Sequence, residues 1–453
     1  MILKPSMFNC VVEDNGYLIL YNSLSGIKVR ISNDKIKEKI KFLLRQQKIE
    51  NSGDFLIGHL MESGFLVRFN ENERQKSQLI KLDKIINKNL RLIIMPTEQC
   101  NFRCQYCYEN FKLGKMDIKH QDGIVKFIRR NIKNFTGIHL DWYGGEPLLA
   151  LDVIENISKQ VVEICKCAKK PLTSSITTNA FLLDLQTFKK LQNFNLVNIQ
   201  ITIDGLKATH DKQRVTSDNK PTYDIILRNL KSIKENSKSA AQRIIIRTNV
   251  TREIYDSFEE YIDFYHSLFG DDRRFSFLIR PVGDWGGESV HNIESELMDR
   301  KAFAMIYDKI IKKNKLNLDY YENYLSPAGS ICYANVRNSF VIRADGRINK
   351  CTCMLDSEEN DIGFLRDNGE MDLDVYKHSK WICGNDKPQC EHCRFYGSCL
   401  NSNCPMKNLE PNNYFTCGYE GMYLDQTLIM LSRCGTIPEA KWDSYEENEC
   451  VFN

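Results

Sequence analysis

Alternating apolar and polar positions begin at Tyr17-Leu-Ile-Leu-Tyr21 and resume, after the turn Asn22-Ser-Leu-Ser-Gly26, at Ile27-Lys-Val-Arg-Ile31, a pattern that predicts a β-hairpin. Helical spacing follows. Ile36, Ile40, Leu43 and Leu44 predict a helix over 34–46, and a second spans 54–62, ended by Gly64 before a strand-like stretch at 65–69. Strands, two helices and a closing strand predict a small winged-helix-like module over residues 1–78, whose polar end, 70–78, reads as a linker. From 90 to 325 the period alternates between strand and helix. Strands are predicted at 90–96, 138–143, 174–178, 197–203, 243–250 and 274–281, with helices such as 152–168, 223–235 and 254–268 between them. Six βα units predict an α/β architecture, a partial (β/α)6 barrel whose active face lies just beyond the strands' carboxyl ends. From 326 to 453 the periodicity weakens, and too little apolar surface is left for an ordinary core.

Composition narrows the function classes. The 453 residues are 42% hydrophobic and 27% charged, enough for two or three domains, and the net charge of +3 makes neither nucleic acid nor an anionic membrane the expected partner. No apolar run approaches the roughly 20 residues of a spanning helix, and Met1-Ile-Leu-Lys-Pro5 begins no secretory signal, so a cytoplasmic protein is expected. The departure from average is cysteine. Of 17 in all, three lie between Cys100 and Cys107 and eleven from Cys332 onward. Clustered thiols in a large chain read as metal or cluster ligands rather than a disulfide framework.

The first cluster, Cys100-Asn-Phe-Arg-Cys104-Gln-Tyr-Cys107, directly follows the first barrel strand and precedes Tyr108. Three thiolates on one loop can hold three corners of a 4Fe-4S cube and leave the fourth iron open to a reacting molecule. A zinc loop is the alternative, but structural zinc wants four ligands and no fourth Cys or His is near in sequence. In this position the motif resembles that of the radical S-adenosylmethionine (SAM) enzymes. The resemblance implies a TIM-like partial barrel, Cys100, Cys104 and Cys107 as cluster ligands, and SAM chelated at the open iron and cleaved by an injected electron to a 5′-deoxyadenosyl radical. Tyr143-Gly144-Gly145-Glu146-Pro147 after the second strand matches the family's GGEP segment, which contacts the methionine amino group. Here the glycines are expected to admit a ligand to the backbone and Glu146 to accept from an ammonium. By the same resemblance Tyr108, Asn179 in Thr177-Thr178-Asn179, Thr202 in Thr202-Ile-Asp204-Gly205, and Arg214 are cofactor-side residues.

The later cysteines form an ordered series: Cys332, Gly346, Cys351, then Cys390-x2-Cys393-x5-Cys399-x4-Cys404 and Cys417. This resembles the SPASM extension of radical enzymes that modify peptides, with four residues between Cys399 and Cys404 where the family has three. It implies two auxiliary 4Fe-4S clusters, one on Cys390, Cys393, Cys399 and Cys417, the other on Cys332, Cys351 and Cys404. Cys353, two residues beyond Cys351 on the same side of an extended strand, is the candidate fourth ligand of the latter. Zinc ribbons are the alternative. Cys383, Cys434 and Cys450 have no place in the pattern, His59 and His266 read as helix packing or surface, and Trp142 and Trp285 as core or rim.

Residues 1–76 carry 12 basic and 9 acidic side chains, which argues against DNA binding by the module. It resembles instead the precursor-recognition element of radical peptide maturases, where a leader peptide adds to a sheet edge. The resemblance as a whole implies a maturase with three 4Fe-4S clusters, about 12 irons, a precursor peptide with a leader, a flavodoxin or ferredoxin donor, and a Cys thioether crosslink as product. An anaerobic sulfatase-maturating enzyme is the rival, but those relatives carry Asp after the second SPASM cysteine, where this chain has Thr352. Carbon–carbon crosslinking and epimerisation use the same architecture. A zinc-binding winged-helix regulator is the non-enzymatic rival.

Overall fold

The computed structural model describes residues 1–237, 242–284, 289–384, 388–402, 404–409, 417–440 and 442. Strands β1 (Ile2–Pro5), β2 (Asn9–Asp14), β3 (Tyr17–Asn22), β4 (Lys28–Ile31), β5 (Ile49–Glu50) and β6 (Leu66–Arg68) form two antiparallel three-stranded sheets, ordered β5-β1-β6 and β2-β3-β4. The expected hairpin is β3 and β4. Helix α1 (Asp34–Arg45) starts where Asn33 accepts from the Ile36 N–H, and α2 (Phe55–Glu62) where Asp54 accepts from those of Leu56 and Ile57, as N-cap side chains do. Their apolar sides bury Leu18, Leu20 and Ile31 on one face of the sheet. The other face, Cys10, Ile19 and Tyr21, belongs to the core of the main body. The Tyr21 hydroxyl reaches the Leu325 carbonyl at 2.8 Å and Ser398 Oγ at 2.6 Å. The amino-terminal module is therefore clamped to the rest of the chain through a sheet buried on both faces.

The stretch expected to be a linker is the start of a helix, α3 (Glu73–Ile85). Its polar look has a local cause: Asn72 caps it by accepting from Gln75 N at 3.0 Å, and the buried Glu73 carboxylate accepts from the Ser6 hydroxyl and from Met7 N. Cap and first-turn positions favour the residues that otherwise mark loops.

The barrel strands are β7 (Asn89–Ile94), then after the short β8 (Phe102–Cys104), β9 (Gly137–Trp142), β10 (Leu172–Thr178), β11 (Leu196–Thr202), and after the short β12 (Arg214–Thr216), β13 (Arg243–Val250) and β14 (Phe275–Pro281). They pair in parallel in the order β14-β13-β11-β10-β9-β7, an α/β half-barrel as expected. One face of each strand, including Leu92, Leu140, Trp142, Ile176, Ile201 and Ile246, packs against the helices. By strand alternation the other face carries Arg91, Asp141, Ser175, Gln200 and Arg243, and these line a cavity of about 480 Å³.

The carboxy-terminal part departs from its expectation. β15 (Ser339–Ile342) pairs in parallel with β7, and β16 (Arg347–Asn349), β17 (Asp361–Leu365) and β18 (Met371–Leu373) follow antiparallel, extending the barrel sheet to ten strands. Phe340, Ile348, Ile362, Leu365, Trp381 and Leu428 join the barrel's core. This region needs no core of its own, because it completes its neighbour's. The junction is locked by Arg343, whose Nε and Nη2 donate to the two carboxylate oxygens of Glu98 at 2.7 and 2.8 Å, both side chains being buried. Arg343→Met leaves Glu98 buried without its cation, a loss of about 3–5 kcal/mol. Thermal melting of the apoprotein should show it, with partial recovery in Arg343→Met/Glu98→Leu. No helix among the described residues is long and apolar enough to cross a membrane.

Candidate active site

The carboxyl ends of the barrel strands gather the residues singled out from sequence. Cys100, Cys104 and Cys107 lie on the loop after β7 and face one another, each within electrostatic reach of another of the three. The loop is held in place by its backbone. Cys107 N–H donates to the Cys104 carbonyl at 3.1 Å, Gln105 N–H to that of Gln213 at 3.0 Å, and Ser217 N–H to that of Asn101 at 2.8 Å. β8 pairs antiparallel with β12, placing Arg214 opposite Cys104. Burial pushes all three thiols up, Cys107 to about 12. Thiols held together on a half-buried loop could serve as ligands to a cation that displaces their protons.

The GGEP segment makes its contacts within the chain. Glu146 is fully buried: Oε1 accepts from Thr178 Oγ1 at 2.7 Å and Leu148 N at 3.0 Å, Oε2 from Asn179 N at 2.7 Å. It ties the end of β10 to the turn before Pro147. Gly144 sits at φ +120°, and a Cβ on Gly145 would stand 2.5 Å from the carbonyl oxygens of both Glu98 and Gln99. What the glycines admit is the backbone leading into Cys100, and Glu146 N–H donates to the Gln99 carbonyl at 2.9 Å. Glu146→Gln replaces an acceptor with a donor facing donors, at a cost of about 1–3 kcal/mol. Its expected signature is a lower melting temperature and weaker SAM binding by calorimetry, with iron content retained.

Asn179 reaches the cysteine loop directly, donating to Asn101 Oδ1 at 2.8 Å, with Cys100 Sγ at 3.9 Å. Arg214 is buried. Its Nη1 donates to the Tyr106 hydroxyl at 2.7 Å, while its Nε has no hydrogen-bond partner in the protein. Tyr106 also meets Asp204 and Asn249 Nδ2, and Asp204 Oδ1 accepts from Asn249 N at 2.8 Å. Thr202 is buried on β11 two residues before Asp204, so in the Thr202-Ile-Asp204-Gly205 segment it is the aspartate that makes these contacts. The signal for Asp204 was present, a carboxylate followed by Gly at a strand end. Nothing in the sequence marked Asn249, because its role depends on β13 lying beside β11.

Tyr108 leads from the first thiol group to the second. Its hydroxyl is 2.5 Å from that of Tyr143 and also meets Cys353. Cys353 N–H donates to Cys351 Sγ at 3.3 Å, and Cys332 is faced by both Cys404 and Cys353. The four residues between Cys399 and Cys404 therefore do not take Cys404 away from Cys332, because Cys332 N–H is anchored to the Ser402 carbonyl at 2.9 Å. Asn360 fixes the other side, accepting from Lys350 N and Cys351 N at 2.9 and 2.8 Å. Cys332 is pushed up to about 12 by burial, while the hydrogen bond from Cys351, with others from Tyr108 and Thr352, draws Cys353 down to about 7. Glu109, which sequence reasoning missed, is buried nearby with Oε2 unpartnered in the protein, and burial, then Glu98 and Cys353, push it up to about 8.

In the remaining group, Cys393 faces Cys417 and Cys390, and Cys390 Sγ approaches Asn401 Oδ1 at 3.7 Å. Cys399 follows on the short helix Tyr396–Cys399. That helix abuts the amino-terminal module, where Gly397 N–H donates to Ser23 Oγ at 3.1 Å. Cys383 is exposed, Cys434 is half-buried and away from the pattern, and Cys450 and Trp285 lie outside the described residues. Trp142 is core. His59 stacks on Trp442, and His266 Nδ1 meets the Lys315 carbonyl. Among the described residues no three His, Cys, Asp or Glu side chains converge closely enough for a single metal ion. A cube-shaped cluster asks instead for thiols spaced one to an iron corner.

Residues 94–265 match the model of the radical SAM superfamily. These residues form a radical SAM domain. The match implies a 4Fe-4S cluster with SAM, and the matched span runs from the end of β7, through the three thiols, to within the helix Phe258–Phe269. The cysteine-type anaerobic sulfatase-maturating enzyme of Clostridium novyi (strain NT) is 24% identical to this chain over 358 residues, covering 72% of this chain and 90% of the relative. Among solved structures, native anSMEcpe with bound AdoMet and Cp18Cys peptide has TM-score 0.57 at 16% identity, over 77% of this chain and 97% of that one. Streptococcus suis SuiB bound to precursor peptide SuiA has TM-score 0.51 at 17% identity, over 92% of this chain and 99% of that one. These likenesses describe the fold.

Proposed function

We propose that this radical SAM enzyme matures a ribosomally made peptide. Residues 1–78 would hold the leader, the barrel of residues 90–325 would hold the residue to be modified, and residues 326–453 would carry auxiliary clusters. The observation that carries the reading is the mutual approach of Cys100, Cys104 and Cys107 on a half-buried loop at the strands' carboxyl ends. Their donor set fits a 4Fe-4S cluster that leaves one iron for SAM, and when bound the pair supplies one-electron cleavage and hydrogen-atom abstraction. In this assignment Asn179 and Arg214 position the cysteine loop and the tyrosine within it, and Glu146 braces the segment behind it. Cys332, Cys351, Cys353 and Cys404 would hold one auxiliary cluster, and Cys390, Cys393, Cys399 and Cys417 the other. The inner wall of the barrel offers the Arg91–Asp141 pair, Gln200 and Arg243 to an extended substrate.

Thioether formation is our specific reading of the product, a substrate Cys sulfur joined to a carbon from which the adenosyl radical has taken hydrogen. Anaerobic incubation with the peptide encoded beside this chain, SAM and a low-potential reductant should then remove two hydrogens, about 2 Da, per link. An unchanged peptide mass alongside abundant 5′-deoxyadenosine would refute that substrate. The second reading is oxidation of a sulfatase cysteine or serine to formylglycine, favoured by the likeness to the Clostridium novyi enzyme over 358 residues. Against it stand Thr352 after Cys351, where those relatives carry Asp, and the presence of the amino-terminal module. Conversion of a sulfatase peptide, with none of the neighbouring precursor, would decide for it.

A further inference from the structure

The arginines on the inner face of the barrel are not all provided for by the chain. Arg91 Nε donates to Asp141 Oδ2 at 2.5 Å, and Arg280 pairs with Glu420. Arg243 and Arg247 of β13 have no ion pair among the described residues. Ile244 and Ile246 pack toward the helices, so by strand alternation Arg243, Ile245, Arg247 and Asn249 face the lumen. Arg243, exposed at the start of the strand, and Ile245 line the cavity of about 480 Å³ with Tyr320 and Asn323. Arg247, half-buried, lies nearer the thiols. Its Nε donates to Asn249 Oδ1 at 2.9 Å, and its terminal nitrogens have no hydrogen-bond partner among the described residues. Around it stand Tyr143, Asp204, Tyr320 and Cys353, each within electrostatic reach.

A guanidinium partly withdrawn from water recovers its lost hydration through an anion or a full set of acceptors. The chain gives Arg91 and Arg280 their carboxylates and gives Arg247 one amide oxygen, so the anion for Arg247 is left to whatever enters the lumen. At about 3.3 Å per residue, Arg243 and Arg247 stand about 13 Å apart along β13, the span of four residues in an extended peptide. Ile245 offers an apolar contact between them.

We propose that Arg247 and Arg243 are specificity-determining residues for the substrate: each takes a carboxylate side chain of the peptide segment inside the barrel, two acidic residues four positions apart with an apolar residue midway against Ile245. The inference rests on reading residues 90–325 as the holder of the residue to be modified, and it specifies the chemistry around that residue. Arg247 stands between Asp204 of the radical site and Cys353, so the acid it holds is a close neighbour of the modified position. A guanidinium fork fits a carboxylate through two parallel hydrogen bonds and fits a neutral amide through one. Each carboxylate is thereby worth about a tenfold preference over the isosteric amide. The other anion at hand is the methionine carboxylate of SAM, and the test separates the two.

The test uses the full chain, reconstituted anaerobically, and rhodamine-labelled alanine heptapeptides with leucine in the middle and either glutamate or glutamine at the second and sixth positions. By fluorescence anisotropy the glutamate peptide should bind wild type at least about tenfold more tightly than the glutamine peptide. Arg243→Gln and Arg247→Gln should each shrink that ratio at least about threefold, with affinity for the glutamine peptide and, by calorimetry, for SAM unchanged. Arg247→Lys should keep most of the preference, and Arg247→Glu should turn it toward a lysine analogue. Equal binding of the two peptides by wild type, which involves no substitution, would overturn the proposal, as would a preference undiminished in Arg243→Gln/Arg247→Gln. Weaker SAM binding by Arg247→Gln with the peptide preference intact would also overturn it and assign Arg247 to the methionine carboxylate. Charge selection by these arginines in a chain shown to modify no peptide would uphold this inference while refuting the maturation reading. Modification of the neighbouring precursor at equal rates by wild type and the double variant would do the reverse.

Discussion

Replacing Cys100, Cys104 and Cys107 together by Ala is expected to remove about four irons per chain and to abolish SAM cleavage, with the remaining iron and the fold retained. The reason lies in how little else on the loop could substitute. The side chains that approach these thiols include Asn179, Arg214 and Glu146, an amide, a cation and a carboxylate already bonded to three donors, together with Glu109, a carboxyl that burial pushes up to about 8. Iron analysis, brown absorbance and 5′-deoxyadenosine by chromatography measure the three consequences separately. The loss should exceed three orders of magnitude, because a reaction that needs the open iron has no slower route through the protein.

The same thiols set a pH dependence. Burial holds Cys100, Cys104 and Cys107 above the ordinary thiol range, so at neutral pH they carry protons that a cluster must displace. Cluster loading into the apoprotein should therefore release protons and become more favourable as pH rises from about 7 to 9. In the Cys100/Cys104/Cys107 triple variant three of these proton-carrying thiols are gone, so loading should release fewer protons per chain and show a shallower pH slope, although Cys332 and Cys393, also held up by burial, keep part of it. Equal pH slopes in the two proteins would contradict this account.

Much of the fold was legible because it follows from local pattern. All six barrel strands fall where apolar runs predicted them, within two residues at either end, and α1 and α2 start at Asn33 and Asp54 as capping would have it. What failed was whatever depended on a distant partner. The stretch 70–78 read as a linker because Asn72 and Glu73 are polar, and only their contacts with Gln75, Ser6 and Met7 make them a helix start. β15 is four residues long and gave no signal of its own, yet β7 was waiting for a parallel neighbour. The motif glycines and Glu146 were found by resemblance, but their job depends on the backbone of Glu98 and Gln99 pressing against them, which no spacing reveals. The cysteine spacing was legible because a cluster constrains sequence as well as space. Asn249 was not, because a hydrogen bond to Tyr106 can be made from any strand end that reaches it.

Cys353→Ala should separate the two halves of the reaction. Cys353 lies where the barrel's tyrosines meet the carboxy-terminal thiols, within hydrogen-bonding reach of Tyr108 and beside Cys351, with Cys332 facing it. The radical-forming site does not contain it, so SAM cleavage should stay within about threefold of wild type. If Cys353 completes an auxiliary cluster with Cys332, Cys351 and Cys404, its loss leaves that cluster with three protein ligands, raises its potential or empties it, and peptide modification should fall at least about a hundredfold. Cys353→Ser should rescue little, since a hydroxyl keeps its proton where this thiol, drawn down to about 7, gives it up. If instead Cys353 is only a packing residue, Cys353→Ala and Cys353→Ser would both modify peptide at the wild-type rate and hold the wild-type iron content. The ratio of 5′-deoxyadenosine to modified peptide is the quantity to measure: near one in the wild type, and rising steeply in the variant only if the electron left on the product must pass by way of this sulfur.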